Sequence, residues 1–207
     1  MSSRERVVLL HGNGEAPLTM TALEFALKKA GYDVSNIAYP IPPGSLQAMM
    51  ADQVAPLLRA WPDARRVHFV THSLGGAMLH ACLRQGRPAN LGRVVMIAPG
   101  LDEHHASDLY RHNWMVRTLL GPAPSATAAG FADTLAQSST YELGVMAGRK
   151  TRKRLRHAAD QLVVPATPDL TASYPLAIFQ ILHFLKHGVF FRLFSFGRPT
   201  RRQTAAA

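Results

Sequence analysis

The sequence predicts an α/β fold, in which a mainly parallel six-stranded sheet carries helices on both faces. Strand-like and helix-like segments alternate along the chain, which is typical of parallel strands that are connected by helices. Two strand-like runs also end in turns rich in small residues, HGNG at residues 11–14 and THSLGG at residues 71–76. Ligands of parallel sheets bind at the carboxyl ends of the strands, so both turns fall where a functional site is expected.

Six short runs rich in valine, leucine and isoleucine predict the strands, because each is bounded by turn or polar residues and has the length of a buried strand. The predicted strands are residues 7–10, 34–39, 67–70, 94–98, 141–147 and 161–164.

Four segments between or after these runs predict helices. Gly31 and Gly188 follow the first and the last of them and are typical C-terminal caps, whereas Ser173 and Pro175 form a typical N-terminal pair for the last helix. The predicted helices are residues 17–30, 45–60, 77–85 and 174–187.

Residues 101–140 interrupt the alternation with weak helical stretches, acidic, histidine and tryptophan residues, and a Gly-Pro-Ala-Pro turn. The insertion leaves the strand at residues 94–98 on its carboxyl side, so we expect a cap over the functional site; a surface excursion that contacts no ligand is the alternative. With 207 residues and 47% hydrophobic content, the chain can bury one core. We therefore expect one domain over residues 1–188 and an aromatic, basic tail over residues 189–207.

Ser73 is the candidate nucleophile. A serine on a tight turn between a strand and a helix presents its hydroxyl at the end of the sheet, and small neighbours let the helix approach the strand closely. The usual pattern is G-x-S-x-G, and Thr71 replaces its first glycine here. Gly75 and Gly76 keep the helix side of the turn small.

The turn after the first strand is the candidate oxyanion-binding element. Backbone N–H groups of Asn13, which follows Gly12, and of Leu74 are expected to hold the oxyanion of a tetrahedral intermediate. The positive end of the helix after Ser73 would favour the same charge. Taken alone, His11 and Gly12 are equally typical of a simple turn at the end of a strand.

The acid and the base are less well defined by the sequence. Asp102 follows the strand at residues 94–98 at the catalytic end of the sheet and is the candidate acid. His104 and His105 are candidate bases, although a separation of two or three residues seldom lets Asp, His and Ser form one line. Solvated loop histidines are the alternative. Asp160 precedes the last strand and is expected at the opposite edge from Ser73.

The formal net charge of +10 is concentrated in two runs, at residues 149–156 and 198–202. Nine of the 23 basic residues lie there, which leaves 14 basic residues against 13 acidic ones. The domain body is therefore near neutral, and without an RNA-binding or helix-turn-helix pattern we expect no nucleic-acid partner. The lone Cys82 is expected to be a core thiol.

Residues 1–10 carry charges at Arg4, Glu5 and Arg6 and enter the first strand directly, so the expected location is cytoplasmic. We predict no metal and no cofactor.

Together these features resemble small bacterial lipase-like α/β-hydrolases. The resemblance spans most of residues 6–188 and rests on His11-Gly12, VHFVTHSLGG at 67–76, NLGRVVM at 90–96, YELGVMAG at 141–148 and ILHFL at 181–185. It implies a compact α/β-hydrolase fold with the chain order nucleophile, acid, base. The chain departs from the family at two places: the acid-bearing loop after the fifth strand is missing, and PATPDL at residues 165–170 holds no base histidine.

Two function classes follow from the site. The first is a serine hydrolase that acts on a small apolar carboxylic ester, with acyl transfer to another acceptor using the same site. The second is a catalytically impaired relative that serves as a binding or scaffold protein. The tail over residues 189–198 interleaves phenylalanines with arginines and fits peripheral contact with an anionic membrane; packing of its aromatics on the domain is the alternative.

Overall fold

Six parallel strands form one sheet in the computed structural model, which describes residues 4–11, 17–38, 50–98, 141–148, 158–164, 172 and 174–192. The spatial order is β2-β1-β3-β4-β5-β6, and every neighbouring pair is parallel, as the sequence predicts. The strands are β1 (Arg6–Leu10), β2 (Asp33–Ile37), β3 (Val67–His72), β4 (Leu91–Ile97), β5 (Leu143–Gly148) and β6 (Asp160–Val164). Because all strands run the same way, the sheet has an amino edge, where they begin, and a carboxyl edge, where they end.

Three α-helices in the described residues cover both faces of the sheet. They are α1 (Thr21–Lys29), α2 (Leu74–Gln85) and α3 (Pro175–His187). Side chains of α1 and α3 share one buried cluster with Val7, Leu9 and Val95. The α2 helix packs on the other face, with Phe69 and Val94. None of the helices in these ranges is long and apolar enough to cross a membrane.

The predicted C-terminal caps Gly31 and Gly188 are confirmed, as is Pro175 at the start of the last helix. Ser173 lies outside the described residues, and the N-cap of that helix is Tyr174. Gly31 has φ +94° after α1, its N–H donates to Lys28 O, and the Tyr32 N–H donates to Leu27 O, which together form a Schellman motif. Gly188 ends α3 with φ +76°. Pro175 is the first residue of α3, where its missing N–H removes no helical hydrogen bond.

The predicted helix at residues 45–60 differs from the structure. Residues 45–49 lie outside the described residues, and the remainder is a π turn, Met50–Val54, followed by a 3₁₀ turn, Ala55–Leu58. Pro56 explains the change, because it has no N–H to donate to the carbonyl of Asp52, four residues earlier. Val54 and Leu58 are still buried in the core on the α2 face.

The packed chain extends beyond residue 188. Phe190 is 2% exposed and its ring lies 4.9 Å from that of Phe184 in α3. The guanidinium of Arg192 donates to both carboxylate oxygens of Asp160 at 2.7 Å. Asp160 begins β6, so this contact, which we call the Asp160–Arg192 clamp, lies at the amino edge of the sheet. The rest of the predicted tail, residues 193–207, lies outside the described residues, as do the predicted cap at 101–140 and the basic run at 149–156.

Candidate active site

Ser73 sits in a strained turn between β3 and α2. Its backbone has φ +49° and ψ −121°, a conformation that costs a non-glycine residue on the order of 1–3 kcal/mol. Two hydrogen bonds hold the turn: the Ser73 N–H donates to Ile97 O at 3.0 Å, and Ser73 O accepts from the Gly76 N–H at 3.1 Å. The residue is partly exposed, although the strand before it is buried throughout. This is the geometry expected of a serine at a strand–turn–helix nucleophile position.

Gly75 lets α2 contact the end of β1. A Cβ at this position would lie 2.7 Å from the carbonyl oxygens of both Leu10 and His11, closer than any side-chain carbon can approach backbone. The start of α2 and the end of β1 therefore touch directly. Gly12, the first residue of the predicted oxyanion turn, directly follows His11 in the sequence. The predicted turn therefore begins next to the contact between α2 and β1.

Thr71 fits in place of the usual glycine because Gly76 has no side chain. Thr71 is fully buried, and a Cβ on Gly76 would lie 3.1 Å from Thr71 Oγ1 and 3.4 Å from Met96 Sδ. In the usual pattern, a glycine at position 71 leaves this space open. Here Thr71 fills it, and Gly76 provides the room because it has no side chain.

The Leu74 N–H lies at the start of α2. Leu74 is the first residue of the helix, so its N–H has no acceptor within the helix and lies at the positive end of the helix dipole. The Leu74 N–H is therefore free of helical hydrogen bonding at the residue next to Ser73, where the predicted oxyanion donor is expected. Gly12 and Asn13 lie outside the described residues.

A second strained residue, Ala98, follows β4 beside the serine turn. Ala98 has φ +43°, and its N–H donates to Met146 O at 2.8 Å. The preceding carbonyl, that of Ile97, accepts the hydrogen bond from Ser73. This feature could not be predicted from the sequence, because alanine has no preference for positive φ. Two strained backbones therefore lie at neighbouring strand ends on the carboxyl edge.

The predicted acid and bases, Asp102, His104 and His105, lie outside the described residues. Within the ranges that the structure describes, the carboxylates that flank strands lie at the amino edge, opposite Ser73. They are Glu5, Asp33, Glu142 and Asp160. Asp160 is thus where the sequence predicts it, and it binds Arg192 rather than a histidine.

Two described histidines lie at the carboxyl edge and both are buried. His72 ends β3 with 8% exposure, and His11 follows β1 with 2%. Strand alternation puts His72 on the same face as Val70, the face that α1 and α3 cover, whereas Thr71 is on the α2 face. His183 and His187 lie in the last turns of α3, at the amino-edge end, and His183 Nδ1 is 2.8 Å from Val189 O.

Cys82 is a core thiol, as predicted. It lies in α2 with 3% exposure, and burial raises its pKa to about 11. Since the thiolate is the nucleophilic form, this side chain is unreactive near neutral pH. Among the described residues, no group of three or more histidine, cysteine or acidic side chains is arranged to hold a metal ion.

A further buried histidine, His68, lies at the amino edge. Its Nδ1 accepts from the Arg93 N–H at 2.8 Å, and its Nε2 lies 3.3 Å from Glu5 Oε2. Because Nδ1 accepts a hydrogen bond from an amide, the proton of the neutral ring is on Nε2, facing Glu5. Burial lowers the pKa of His68, against the opposite effect of Glu5. The apolar run in β3 predicts that this side chain is buried. It does not predict the contacts with Arg93 and Glu5.

Solved structures share this fold. Esterase B from Lactobacillus rhamnosis matches with a TM-score of 0.54 and 15% identity, over 90% of this chain and 76% of that one. Tomato methylketone synthase I complexed with 2-tridecanone matches with a TM-score of 0.54 and 11% identity, over 88% and 97% of the two chains. These matches and the sheet topology establish the α/β-hydrolase fold.

A pyrethroid hydrolase from Sphingobium faniae is similar over a smaller part. The match has 22% identity and a TM-score of 0.40, over 49% of this chain and 42% of that one, so this chain spans less than half of its length. No protein-family model matches the chain, and no curated protein shows significant sequence similarity to it.

Proposed function

We propose that the protein is a serine hydrolase that acts on carboxylic esters, with Ser73 as the nucleophile. The observation that carries this proposal is the strained backbone of Ser73 between a buried strand and a helix start that Gly75 packs against the end of β1. Strain of this kind persists only where the surroundings hold it, and it is concentrated at functional positions. The shared fold with esterase B supports the same reaction class.

In the proposed reaction, Ser73 Oγ attacks the ester carbonyl and the carbonyl oxygen becomes an oxyanion. The Leu74 N–H at the start of α2 and the Asn13 N–H from the turn after β1 donate to that oxyanion. The contact between Gly75 and His11 O supports this pairing, because it holds the two backbone segments together. The substrate is a small ester with an apolar acyl group.

Activation of Ser73 is the weak step of the proposed mechanism. A serine hydroxyl is a poor nucleophile near neutral pH unless a base takes its proton. The candidates are His104 or His105, with Asp102 as the orienting acid. If these side chains are only solvated, loss of the base lowers kcat by as much as about 10⁶. Very slow turnover of activated esters such as p-nitrophenyl butyrate is then expected.

A second function, a catalytically impaired α/β-hydrolase relative that binds a ligand, is favoured by the segment after the last strand, because PATPDL at residues 165–170 holds no histidine that could serve as the base. Such a protein would keep Ser73 and the oxyanion donors and lack their base. Oxyanion binding alone retains about 10³-fold catalysis over water, so weak activity does not separate the two functions.

The test is the rate at which a fluorophosphonate probe labels the protein. We expect labelling of the wild type that Ser73→Ala abolishes. Gly75→Ala should slow labelling at least about tenfold, because its Cβ would force α2 away from β1 and misplace the Leu74 N–H. Gly86→Ala, after the other end of α2, has open space around its Cβ and an extended backbone, so it should label like the wild type.

Turnover of p-nitrophenyl butyrate then assigns the base. Ordinary esterase rates that fall strongly in the His104→Gln/His105→Gln variant would identify the base in that segment. Slow rates that this variant leaves unchanged, with probe labelling retained, would favour the impaired relative. Labelling that persists in Ser73→Ala would refute both functions as stated.

A further inference from the structure

Exposed large hydrophobic residues are concentrated on one side of the molecule. We call this side the α1–α3 layer: α1, α3 with its N-cap residue Tyr174, the 3₁₀ turn Pro17–Met20 that leads into α1, and the segment 188–192 that follows α3. Leu18 and Phe25 are 79% and 68% exposed. Of the eight exposed large hydrophobic side chains in the described residues, seven belong to this layer: Leu18, Phe25, Tyr174, Leu176, Phe179, Val189 and Phe191.

The eighth residue, Val163, shows that the opposite side differs. Its neighbours Leu162 and Val164 pack on the α1–α3 face of β6, so alternation turns Val163 toward the other face. The α2 helix covers that face, and its exposed side chains in the described residues are polar, Arg84 and Gln85. Single exposed apolar residues are normal on any surface, whereas seven on one layer form a surface suited to an apolar partner.

Three of the aromatic side chains of the layer are held together. The Phe179 and Phe191 rings lie 5.4 Å apart in an edge-to-face arrangement, and His183 lies 5.6 Å from Phe191. Gln180 fixes the segment by donating to Phe191 O and accepting from the Phe191 N–H. The aromatic surface is therefore preformed and costs little side-chain entropy when it binds.

The charge of the layer is positive. The α3 sequence has no acidic residue, and the α1 sequence has Glu24, which is bound to Lys28 at 2.6 Å and to Asn36 at 3.0 Å. Lys29 and Lys186 are exposed at the ends of the two helices. Exposed apolar side chains, with cations at the helix ends, complement a lipid bilayer, which has an apolar interior and, where its lipids are acidic, an anionic surface.

The chain that continues from this layer has the same composition. From Arg192 the sequence reads LFSFGRPTRRQTAAA, which adds two phenylalanines and three arginines and no acidic residue. These residues extend the apolar and basic character of the layer.

We propose that the α1–α3 layer binds the surface of an anionic lipid bilayer, with its aromatic side chains in the interface and its lysines at the head groups. The N-terminal ends of α1 and α3 lie at the carboxyl edge, because the strands before them run toward that edge. Leu18 and Tyr174 are therefore on the Ser73 side of the layer. Bound in this way, the protein holds its candidate active site beside the membrane surface, where apolar esters concentrate.

The test is flotation with vesicles of equimolar phosphatidylcholine and phosphatidylglycerol, compared with phosphatidylcholine alone. The full chain should bind the anionic vesicles, less so as salt rises. The Phe25→Ser/Phe179→Ser variant should lower the partition coefficient on the order of tenfold, since both rings are exposed and their loss should not unfold the protein. Lys29→Gln/Lys186→Gln should lower it by about fivefold per lysine.

Matched variants on the other face serve as controls. Val163→Ser removes a side chain that is 47% exposed, against 46% for Phe179, and Arg59→Gln/Arg84→Gln removes two exposed cations from the α2 side. Both should bind like the wild type. Equal binding of Phe25→Ser/Phe179→Ser and the wild type would overturn the proposal, and so would a wild type that ignores anionic vesicles. A dimer that Phe25→Ser/Phe179→Ser disrupts, without vesicle binding, would assign the layer to a second copy instead.

Discussion

At the level of single residues, Ser73 and Ala98 hold backbone conformations that their own side chains disfavour. Each is maintained by hydrogen bonds to a neighbouring strand: Ser73 N–H to Ile97 O, and Ala98 N–H to Met146 O. The strain therefore depends on pairing among β3, β4 and β5. Any change that loosens this part of the sheet should affect the serine turn before it affects the rest of the fold.

His68 should make stability depend on pH. Its pKa in the folded protein lies below the unfolded value, mainly because the ring is buried, and Arg93 and Arg66 act in the same direction. The unfolded chain then binds more protons, so the free energy of unfolding is highest above about pH 6.5 and falls as the pH drops below it. Urea unfolding between about pH 8 and pH 5 measures this dependence.

The His68→Leu variant isolates the contribution of this side chain. It should lose about 1–3 kcal/mol at pH 8, because the part-buried Arg93 N–H loses its acceptor, and its stability should fall less steeply toward pH 5. A His68→Leu curve parallel to that of the wild type would show that other groups cause the pH dependence.

At the level of elements, the β3–α2 junction depends on a compensating pair. Gly76→Ala would place a Cβ 3.1 Å from Thr71 Oγ1, and Thr71→Ala would remove that atom. We expect Gly76→Ala to be less destabilising in the Thr71→Ala background, with a coupling energy of about 0.5–2 kcal/mol in a double-mutant cycle of unfolding free energies. The helix propensity of alanine cancels in the cycle.

The control cycle combines Thr71→Ala with Gly86→Ala, at the far end of the same helix. These two changes should be additive within about 0.5 kcal/mol, since nothing lies within 4 Å of a Gly86 Cβ. Equal coupling in both cycles would mean that Gly76 does not compensate for Thr71.

At the level of the whole molecule, the two edges of the sheet have different roles. The amino edge holds ion pairs, such as Arg93 with Glu142 at 2.7 Å and the Asp160–Arg192 clamp. The carboxyl edge holds the strained turns. These ion pairs and the candidate site are separated by the length of the strands, so the ion pairs can be changed without contact with the serine turn.

Truncation tests where the folded domain ends. A chain ending at residue 192 keeps Phe190 in the core and the Asp160–Arg192 clamp, so it is the reference for a shorter chain. A chain ending at residue 188 should lose about 2–4 kcal/mol, from burial of one phenylalanine and the hydrogen bonds to Asp160. Equal stability of the two truncated chains would contradict this assignment.

The sequence predicts the repeating features well, because they follow from local patterns. The six strands, the caps at Gly31 and Gly188 and the position of Ser73 each depend on a few adjacent residues. Features that depend on distant residues could not be predicted. The Asp160–Arg192 clamp joins residues 32 positions apart, and the space for Thr71 depends on how α2 meets β3 and β4.

The Asp160–Arg192 clamp also affects how fast trypsin can cleave the chain after Arg192. Trypsin must take the guanidinium of an arginine into its own binding pocket, and in the folded protein Asp160 binds that of Arg192 through both oxygens. Cleavage after Arg192 therefore requires local unfolding, and its rate reports how often α3 and the following segment separate from β6. Asp160→Asn should speed this cut relative to the wild type, because it removes one of the two carboxylate oxygens that hold Arg192. The rate of cleavage after Arg192 thus measures how often the chain opens locally at the amino edge of the sheet.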